Sequence, residues 1–207
     1  MRIQGQHRMQ SLERTMITIN GFPINVLKGG DSSKTPLLFL HGKAFQAETW
    51  NELGTLESVL NAGFSFLALD LPGFGKSPEA DIDPESIITG VMEAESIEQA
   101  IIIGPSMSGK IAIEYATANP QKVAGLVLIG AVGVQENRDK LNTLPAQTLI
   151  IWGENDQISS PENGVLLNEQ IAGSELVIFT DAPHPCYLKK TDLWHETLLN
   201  FANRINK

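Results

Sequence analysis

The stretch Ala100-Ile101-Ile102-Ile103-Gly104-Pro105-Ser106-Met107-Ser108-Gly109 predicts a buried strand that turns sharply into a helix. Its Gly104, Ser106 and Ser108 fit the pattern G-x-S-x-G, with serine in the place of the last glycine. A strand-to-helix turn of this kind exposes the side chain of its central residue, and small residues on either side let neighbouring backbone pass close by. Ser106 is therefore a candidate nucleophile. The helix that follows points its first N–H groups at the charge that an attack would create.

Short apolar runs alternate with helix-like segments on both sides of this turn. Between the first two runs, Asn20-Gly21 is a strong hairpin signal, so the chain is expected to open with an antiparallel pair of strands. The later alternation is typical of an α/β fold, with a mostly parallel sheet of about eight strands and helices on both faces. Strands are predicted at residues 16–19, 24–27, 36–40, 64–69, 100–103, 126–129, 148–152 and 176–179, and helices at 49–61, 84–99, 108–117, 163–172 and 191–205.

Length and composition favour a single domain over residues 16–207, preceded by a flexible tail over residues 1–15. The chain has 207 residues, and its 15 basic and 24 acidic side chains give a net charge of −9, which argues against a nucleic-acid partner. The single cysteine, Cys186, cannot form an internal disulfide or a thiolate metal site. No apolar run approaches the ~20 residues of a membrane span, and the first residues lack the apolar core of a secretory signal. We therefore expect a soluble, cytoplasmic protein with no membrane partner.

Two further strand ends carry the partners that a serine nucleophile needs. Asp156 follows the strand predicted at 148–152, and His184 lies between two prolines in a stiff loop after the last predicted strand. In this architecture a nucleophile, an orienting acid and a general base follow one another in the order serine, aspartate, histidine. Glu154 is a rival acid, but it lies closer to the strand. The other histidines are His7 in the tail, His41 at a strand end and His195 in the last helix.

These segments together resemble the α/β-hydrolase superfamily over residues 16–205. Leu40-His41-Gly42-Lys43 is similar to the segment that supplies one donor of the family's oxyanion hole. The resemblance implies that the backbone N–H groups of Lys43 and Met107 form this hole. The segment Asp70-Leu71-Pro72-Gly73-Phe74-Gly75-Lys76-Ser77 resembles the structural D-x-P-G-x-G-x-S loop of the family, in which Asp70 and Ser77 are expected to hold the turn.

Within the superfamily the chain most resembles the small, capless CIB-type group. The resemblance lies in Glu48-Thr49-Trp50 after His41-Gly42, in the turn at Ser106 and in His184-Pro185-Cys186-Tyr187-Leu188. Many α/β hydrolases insert a helical lid after the sixth strand, but residues 131–147 are too few for a lid domain. We therefore expect an open site, and the aromatic side chains expected to line it are Phe45, Phe74 and Tyr187.

These residues predict a carboxylesterase-like serine hydrolase that cleaves small acyl esters through a triad of Ser106, His184 and Asp156 and an acyl-enzyme. Its partner is a small-molecule acyl substrate, and the chemistry requires neither a metal nor an organic cofactor. Three alternatives stay open: deacylation or acyl transfer involving an amine or a thiol, peracid chemistry with the same triad, and a non-catalytic interaction module. The last is disfavoured because a pure scaffold has no need of a triad.

Overall fold

One sheet of eight strands runs through residues 11–31, 33–145 and 147–207, which the computed structural model describes. The strands are β1 (Glu13–Ile19), β2 (Phe22–Gly29), β3 (Leu37–Phe39), β4 (Phe66–Leu69), β5 (Ala100–Pro105), β6 (Val123–Ile129), β7 (Thr148–Gly153) and β8 (Glu175–Phe179). Their order across the sheet is β1-β2-β4-β3-β5-β6-β7-β8. The pairs β1–β2 and β2–β4 are antiparallel, and all later neighbours are parallel. The predicted α/β fold with an antiparallel hairpin at its edge is confirmed.

Helices cover both faces of this sheet. They are α1 (Ala47–Glu52), α2 (Thr55–Asn61), α3 (Pro84–Ala94), α4 (Met107–Ala118), α5 (Pro161–Gln170), α6 (Cys186–Lys189) and α7 (Thr191–Ile205). Successive residues of β5 point to opposite faces. Ile102 packs in the core under α3, α4 and α5, whereas Ile101 and Ile103 pack in the core under α1, α2 and α7. Because both faces are buried, the central strands are apolar at nearly every position, which explains their unbroken apolar runs.

The helix predicted at residues 49–61 is in fact two helices, α1 and α2. Gly54 separates them with a φ of 77°, a left-handed conformation that glycine adopts without strain. Trp50 in α1 and Leu56 in α2 nevertheless pack into the same core. The periodic spacing of apolar residues therefore continues across Gly54, so this spacing alone does not reveal the break between α1 and α2.

Several other boundaries differ from the predictions by a few residues, and one short helix is additional. β1 begins at Glu13, so residues 13–15 belong to the sheet rather than to the predicted tail, of which residues 1–10 lie outside the described part of the chain. α3 ends at Ala94 instead of residue 99, and the chain turns away at Ser96, whose φ is 55°. The short helix α6 has no counterpart among the predicted elements.

The connection from β6 to β7 contains no helical lid in its described residues. Its described residues contain one short 3₁₀ helix, Arg138–Thr143, and otherwise turns and bends. The prediction that this chain has no lid domain is confirmed. None of the helices in the described residues is both long enough and apolar enough to cross a membrane.

Candidate active site

Ser106 lies at the junction of β5 and α4, with backbone angles of φ 51° and ψ −114°. A positive φ is strained for a residue other than glycine, so the surrounding structure must hold it in place. The Ser106 N–H donates to the carbonyl of Ile129 (2.9 Å), and the Ser106 carbonyl accepts from the N–H groups of Gly109 (2.9 Å) and Val132 (3.1 Å). These three bonds fix the direction of the serine side chain.

Gly104 permits this tight turn because no side chain fits at its position. A Cβ atom added there would lie 2.5 Å from the carbonyl oxygen of Ser108 and 2.7 Å from the Cβ atom of Ala112. The end of β5 therefore approaches the first turns of α4 more closely than any other residue type permits. This close approach explains why a glycine stands at the first position of the G-x-S-x-G pattern.

Ser106, His184 and Asp156 form one continuous hydrogen-bonded chain. The Nε2 atom of His184 lies 2.7 Å from Ser106 Oγ, and its Nδ1 atom lies 2.7 Å from Asp156 Oδ2. An ionised carboxylate only accepts hydrogen bonds, so with Asp156 in that form Nδ1 carries the proton and Nε2 accepts from the serine hydroxyl. In this arrangement a histidine can remove the proton of a serine.

The loop after β7 directs Asp156 toward His184. Its Oδ1 atom accepts from the N–H groups of Ile158 (2.8 Å) and Ser159 (2.9 Å), and its side chain is completely buried. These bonds satisfy one carboxylate oxygen and leave the other for the histidine. The rival acid Glu154 accepts instead from the N–H of Asp181 (2.9 Å) on the exposed side of the turn. Of the two acids, the structure therefore brings only Asp156 to His184.

The remaining histidines lie elsewhere. His195 in α7 contacts Thr55 at the start of α2, with 2.9 Å between Nε2 and the threonine Oγ1. His7 is outside the described residues. His41 is close to the site, but its ring contacts backbone groups rather than Ser106.

The segment after β3 fixes the direction of the Lys43 N–H. The Gly42 carbonyl oxygen accepts from His41 Nδ1 (2.9 Å) and from the N–H of Phe45 (3.0 Å). In a trans peptide the carbonyl and the next N–H point in opposite directions, so the Lys43 N–H points away from the His41 ring. This segment passes beside the nucleophile, since a Cβ atom added to Gly42 would lie 3.7 Å from Ser106 Cβ.

Two backbone donors are thereby available next to Ser106. Met107 is the first residue of α4, and the N–H of a first helical residue has no acceptor within its helix. The N–H of Lys43 likewise has no backbone acceptor among the residues that the structure describes. Both residues line the same cavity as Ser106. The two N–H groups therefore meet the requirement for an oxyanion hole: donors beside the nucleophile with no protein partner of their own.

His41 is held in a single tautomer by its neighbours. Its Nε2 atom accepts from the N–H of Leu71 (3.0 Å), so the proton lies on Nδ1 and is donated to the Gly42 carbonyl. Burial lowers the pKa of His41 and thus favours this neutral form. Phe74 packs on the ring, with 4.9 Å between the ring centroids.

Ser108 connects the elbow to the segment after β3. It is fully buried, and its hydroxyl donates to the carbonyl oxygen of His41. The departure from glycine at this place of the pattern thus adds a hydrogen bond between the two segments that carry the Lys43 and Met107 donors. The sequence pattern alone shows only that Ser108 is small enough for the turn.

Hydrogen bonds of Asp70 and Ser77 hold the loop after β4 in place and connect it to the start of α1. The Asp70 carboxylate accepts from the N–H groups of Ala47 (2.7 Å) and Lys76 (2.9 Å), and its carbonyl accepts from the Ser77 hydroxyl (2.7 Å). Asp70 and Ser77 therefore hold the turn, as expected from the sequence.

A cavity of about 420 Å³ opens beside Ser106 and His184, and most of its wall is apolar. Phe45 and Tyr187 lie in this wall. Phe74, which the sequence analysis placed with them, lies outside it because it packs on His41. Wall residues that the sequence analysis missed are Ala44, Ile129, Val132, Ile158 and Pro185. Pro185 belongs to the motif around His184, but no motif points to the others, because they line the cavity only once the strand ends and loops have come together.

Cys186 lies close to the triad in sequence but is not a nucleophile of this site. It is fully buried, and burial raises the pKa of its thiol to about 12, so the thiol is neutral. Among the described residues, no three His, Cys, Asp or Glu side chains are grouped so as to hold a metal ion.

A larger, open depression of about 700 Å³ lies at the opposite edge of the sheet, near the amino ends of β3, β4 and β5. Its wall is polar and includes the ion pair between Lys28 and Glu95 (2.9 Å). It contains none of the three residues of the Ser106–His184–Asp156 chain. The chemistry therefore belongs to the smaller, apolar cavity.

Residues 35–147, more than half of the chain, match the family model described as alpha/beta hydrolase fold. The chain therefore belongs to the alpha/beta hydrolase family. This agrees with the order of its strands and with the position of Ser106 between β5 and α4.

Curated relatives include the "Putative protein-lysine deacylase ABHD14B" of Rattus norvegicus, which is 32% identical over 188 residues that cover 85% of this chain and 87% of the relative. The human protein of the same name is 32% identical over 183 residues, or 84% of this chain and 86% of the relative. Among solved structures, a "predicted CIB-like hydrolase" from Thermoplasma acidophilum has a TM-score of 0.88 at 23% identity and covers 94% of this chain and 99% of its own. The resemblance to the α/β-hydrolase superfamily is confirmed, and the fold is similar to that of this CIB-like hydrolase.

Proposed function

We propose that this protein is a serine hydrolase that cleaves small acyl esters through an acyl-enzyme on Ser106. The observation that carries the proposal is the pair of 2.7 Å contacts that His184 makes with Ser106 and Asp156. A nucleophile, a base and an acid in hydrogen-bond contact, beside two free backbone donors and an apolar cavity, are the parts that acyl transfer requires.

The reaction proceeds in two halves. His184 Nε2 takes the hydroxyl proton of Ser106 as Oγ bonds to the ester carbonyl carbon, and the N–H groups of Lys43 and Met107 donate to the carbonyl oxygen as it becomes negative. The carbon–oxygen bond to the alcohol then breaks, and the alcohol leaves with the proton from His184. A water molecule next gives its proton to His184 and attacks the acyl carbon. The acid departs, and Ser106 regains its proton.

A fluorophosphonate probe tests the nucleophile directly. We expect the probe to label the wild-type protein and to leave Ser106→Ala unlabelled, and we expect this variant to lose ester hydrolysis by a factor on the order of 10⁴–10⁶. Ser58→Ala, a partly buried serine of α2 outside the site, is the matched control and should be labelled like the wild type. Equal labelling of Ser106→Ala and wild type would overturn the proposal.

A second candidate function is removal of an acyl group from a lysine side chain. It is favoured by the two relatives at 32% identity that are named putative protein-lysine deacylases. The lack of a lid domain is compatible with it, because a lysine side chain on a protein can reach a cavity only if its mouth is open. The same triad performs this reaction with an amine as the leaving group.

A series of aryl esters from acetate to octanoate, run beside acyl-lysine peptides with the same acyl groups, separates the two candidates. Turnover of esters alone supports the esterase, whereas release of free lysine at comparable kcat/KM supports the deacylase. Adding a small thiol shows whether the acyl group goes to water or to the thiol. Ser106→Ala must abolish whichever activity is found.

We further propose that the physiological substrate is a small acyl molecule or an acylated side chain, and that the protein acts in the cytoplasm. The location is supported by the single cysteine, Cys186, which gives the chain no internal disulfide to form. Fractionation of cells that produce the native protein tests it, and recovery outside the cytoplasmic fraction would contradict it.

A further inference from the structure

Tyr187 lines the cavity, and its hydroxyl has no hydrogen-bond partner among the residues that the structure describes. Only 3% of this residue is exposed, and it lines the cavity beside Ser106. Its hydroxyl makes no hydrogen bond to the described residues. Among these residues, every side-chain nitrogen or oxygen atom that is fully shielded from solvent does have a hydrogen-bond partner. The small accessible part of Tyr187 therefore includes its oxygen atom, which is left to bond to a molecule from solvent, such as a ligand in the cavity that Tyr187 lines.

The ring of Tyr187 is held firmly, so the position of this hydroxyl is set before a substrate binds. Its centroid lies 5.0 Å from that of Trp50, 6.3 Å from that of Trp194 and 6.3 Å from that of Phe45. Burial raises the pKa of Tyr187, so the phenol is neutral and can donate. A donor fixed by packing loses little freedom when it binds a ligand.

The hydroxyl of Tyr187 belongs to a residue of a mostly apolar cavity wall. The cavity wall that Tyr187 helps to form includes the apolar side chains of Ala44, Phe45, Met107, Ile129, Val132 and Ile158. In such surroundings a polar group without a partner is unfavourable, and a substrate atom that pairs with it is correspondingly favoured. Among the described wall residues outside the triad, Lys43 alone carries a charged side chain, and this residue is exposed.

We propose that Tyr187 determines specificity by donating a hydrogen bond to an oxygen atom within the acyl group of the substrate. The preferred substrates are then esters or amides of short acyl groups that carry an ether, keto or hydroxyl oxygen, not plain hydrocarbon acyl groups. This inference rests on the proposed acyl-enzyme at Ser106. The alcohol or amine leaves through the open mouth before water attacks, so the acyl group is the part that the cavity retains.

Matched pairs of aryl esters test this assignment. Methoxyacetyl and butanoyl esters, and likewise 3-methoxypropanoyl and pentanoyl esters, differ only by an oxygen atom in place of a methylene group. For each pair, the ratio of the two kcat/KM values gives the preference for oxygen. We expect this ratio to fall about tenfold in Tyr187→Phe for at least one pair, since the variant loses one neutral hydrogen bond and keeps the ring. Differences in intrinsic ester reactivity cancel when the variant is compared with the wild type.

Tyr115→Phe is the matched control. Tyr115 is equally buried, but its hydroxyl contacts Thr89 (3.2 Å) and Met92 (3.7 Å) in the core, so this variant should keep the wild-type ratio. Fluorophosphonate labelling of Ser106 is measured in every protein.

If Ser106 is labelled and the esters are hydrolysed, but the preference for oxygen is the same in Tyr187→Phe and wild type, the proposed role of Tyr187 is wrong. A preference that follows an oxygen in the alcohol instead of the acyl group also overturns it. If neither labelling nor hydrolysis occurs, the proposed function itself fails.

Discussion

The hydroxyl of Ser108 donates a hydrogen bond to the carbonyl oxygen of His41. This bond joins the start of α4, which carries the Met107 N–H, to the segment after β3, which carries the Lys43 N–H. The two donors of the proposed oxyanion hole come from separate elements, so the distance between them depends on such cross-connections. Ser108 therefore acts as a positioning residue, which does not itself touch the substrate.

Ser108→Ala should lower kcat about tenfold and leave KM nearly unchanged, because the loss of this bond affects the hole more than ground-state binding. The affinity for a boronic acid that forms a tetrahedral adduct on Ser106 should fall in parallel. The free energy of unfolding should also fall by about 1–3 kcal/mol, since the His41 carbonyl loses a buried partner. Steady-state kinetics, inhibitor titration and urea unfolding measure the three effects.

Thr148→Val is the control for Ser108→Ala. Thr148 is also buried, and its hydroxyl also donates to a backbone carbonyl, that of Pro145, but it lies at the start of β7, far from the carboxyl ends of the strands. This variant should lose stability and keep kcat. If both variants lower kcat equally, the effect of Ser108 is general destabilisation and not positioning.

Asp156→Asn should reduce kcat about 10⁴-fold, because an amide neither stabilises the imidazolium nor selects the tautomer that accepts from Ser106. Glu154→Gln, two residues earlier in the same turn, should stay close to wild type, since its carboxylate accepts from the Asp181 N–H on the exposed side of the turn and has no hydrogen bond to His184. Ester hydrolysis by the two purified variants gives the comparison. A large loss in Glu154→Gln with little loss in Asp156→Asn would reverse the assignment of the acid.

The stability of the protein should decrease as the pH falls below about 6.5, the ordinary pKa of histidine, because burial lowers the pKa of His41 in the folded state. Below that pH the unfolded chain binds a proton that the folded His41 resists. Above it His41 is neutral in both states, and its contribution is fully present. Urea unfolding at about pH 7.5 and about pH 5.5 should show a smaller drop for His41→Asn than for wild type.

His195 needs a parallel measurement, because burial lowers its pKa as well. His195→Asn removes its share of the same pH dependence, and the two variants together should remove more than either alone. An identical drop in wild type and His41→Asn would show that His41 does not resist protonation in the folded protein.

Cys186 should react with a thiol reagent only after unfolding, since it is buried and its pKa is raised to about 12. We expect ester hydrolysis to survive an excess of such a reagent under native conditions, and one thiol per chain to react in urea. Rapid native labelling with loss of activity would indicate that the thiol reaches the site.

The triad could be predicted from the sequence because its geometry follows from topology. Ser106, Asp156 and His184 each follow a strand of one mostly parallel sheet, and the carboxyl ends of parallel strands share an edge. The central strands could be predicted from the sequence because a strand that is buried on both faces needs a continuous apolar run. Once the order of the strands is given, the three loops have to meet.

Other features depend on contacts that no local pattern contains. The break at Gly54 leaves the apolar period of α1 and α2 intact, so periodicity predicts one helix. Phe74 is aromatic and lies in the loop that follows β4, but the His41 ring offers it a packing partner outside the cavity. The free hydroxyl of Tyr187 is visible only when every nearby donor and acceptor has been located.

The central claim is that Ser106 carries the acyl group between the two halves of the reaction. The most direct measurement is mass spectrometry of the peptide that contains Ser106, after an aryl acetate has been mixed with the protein and the reaction quenched in acid within the first turnover. The account predicts a gain of one acetyl group on Ser106, with no such gain on this peptide in Ser106→Ala. The account would be contradicted if the wild-type protein hydrolysed the ester but carried no acetyl group on Ser106. It would also be contradicted if the acetyl group were found on another residue, such as Lys43.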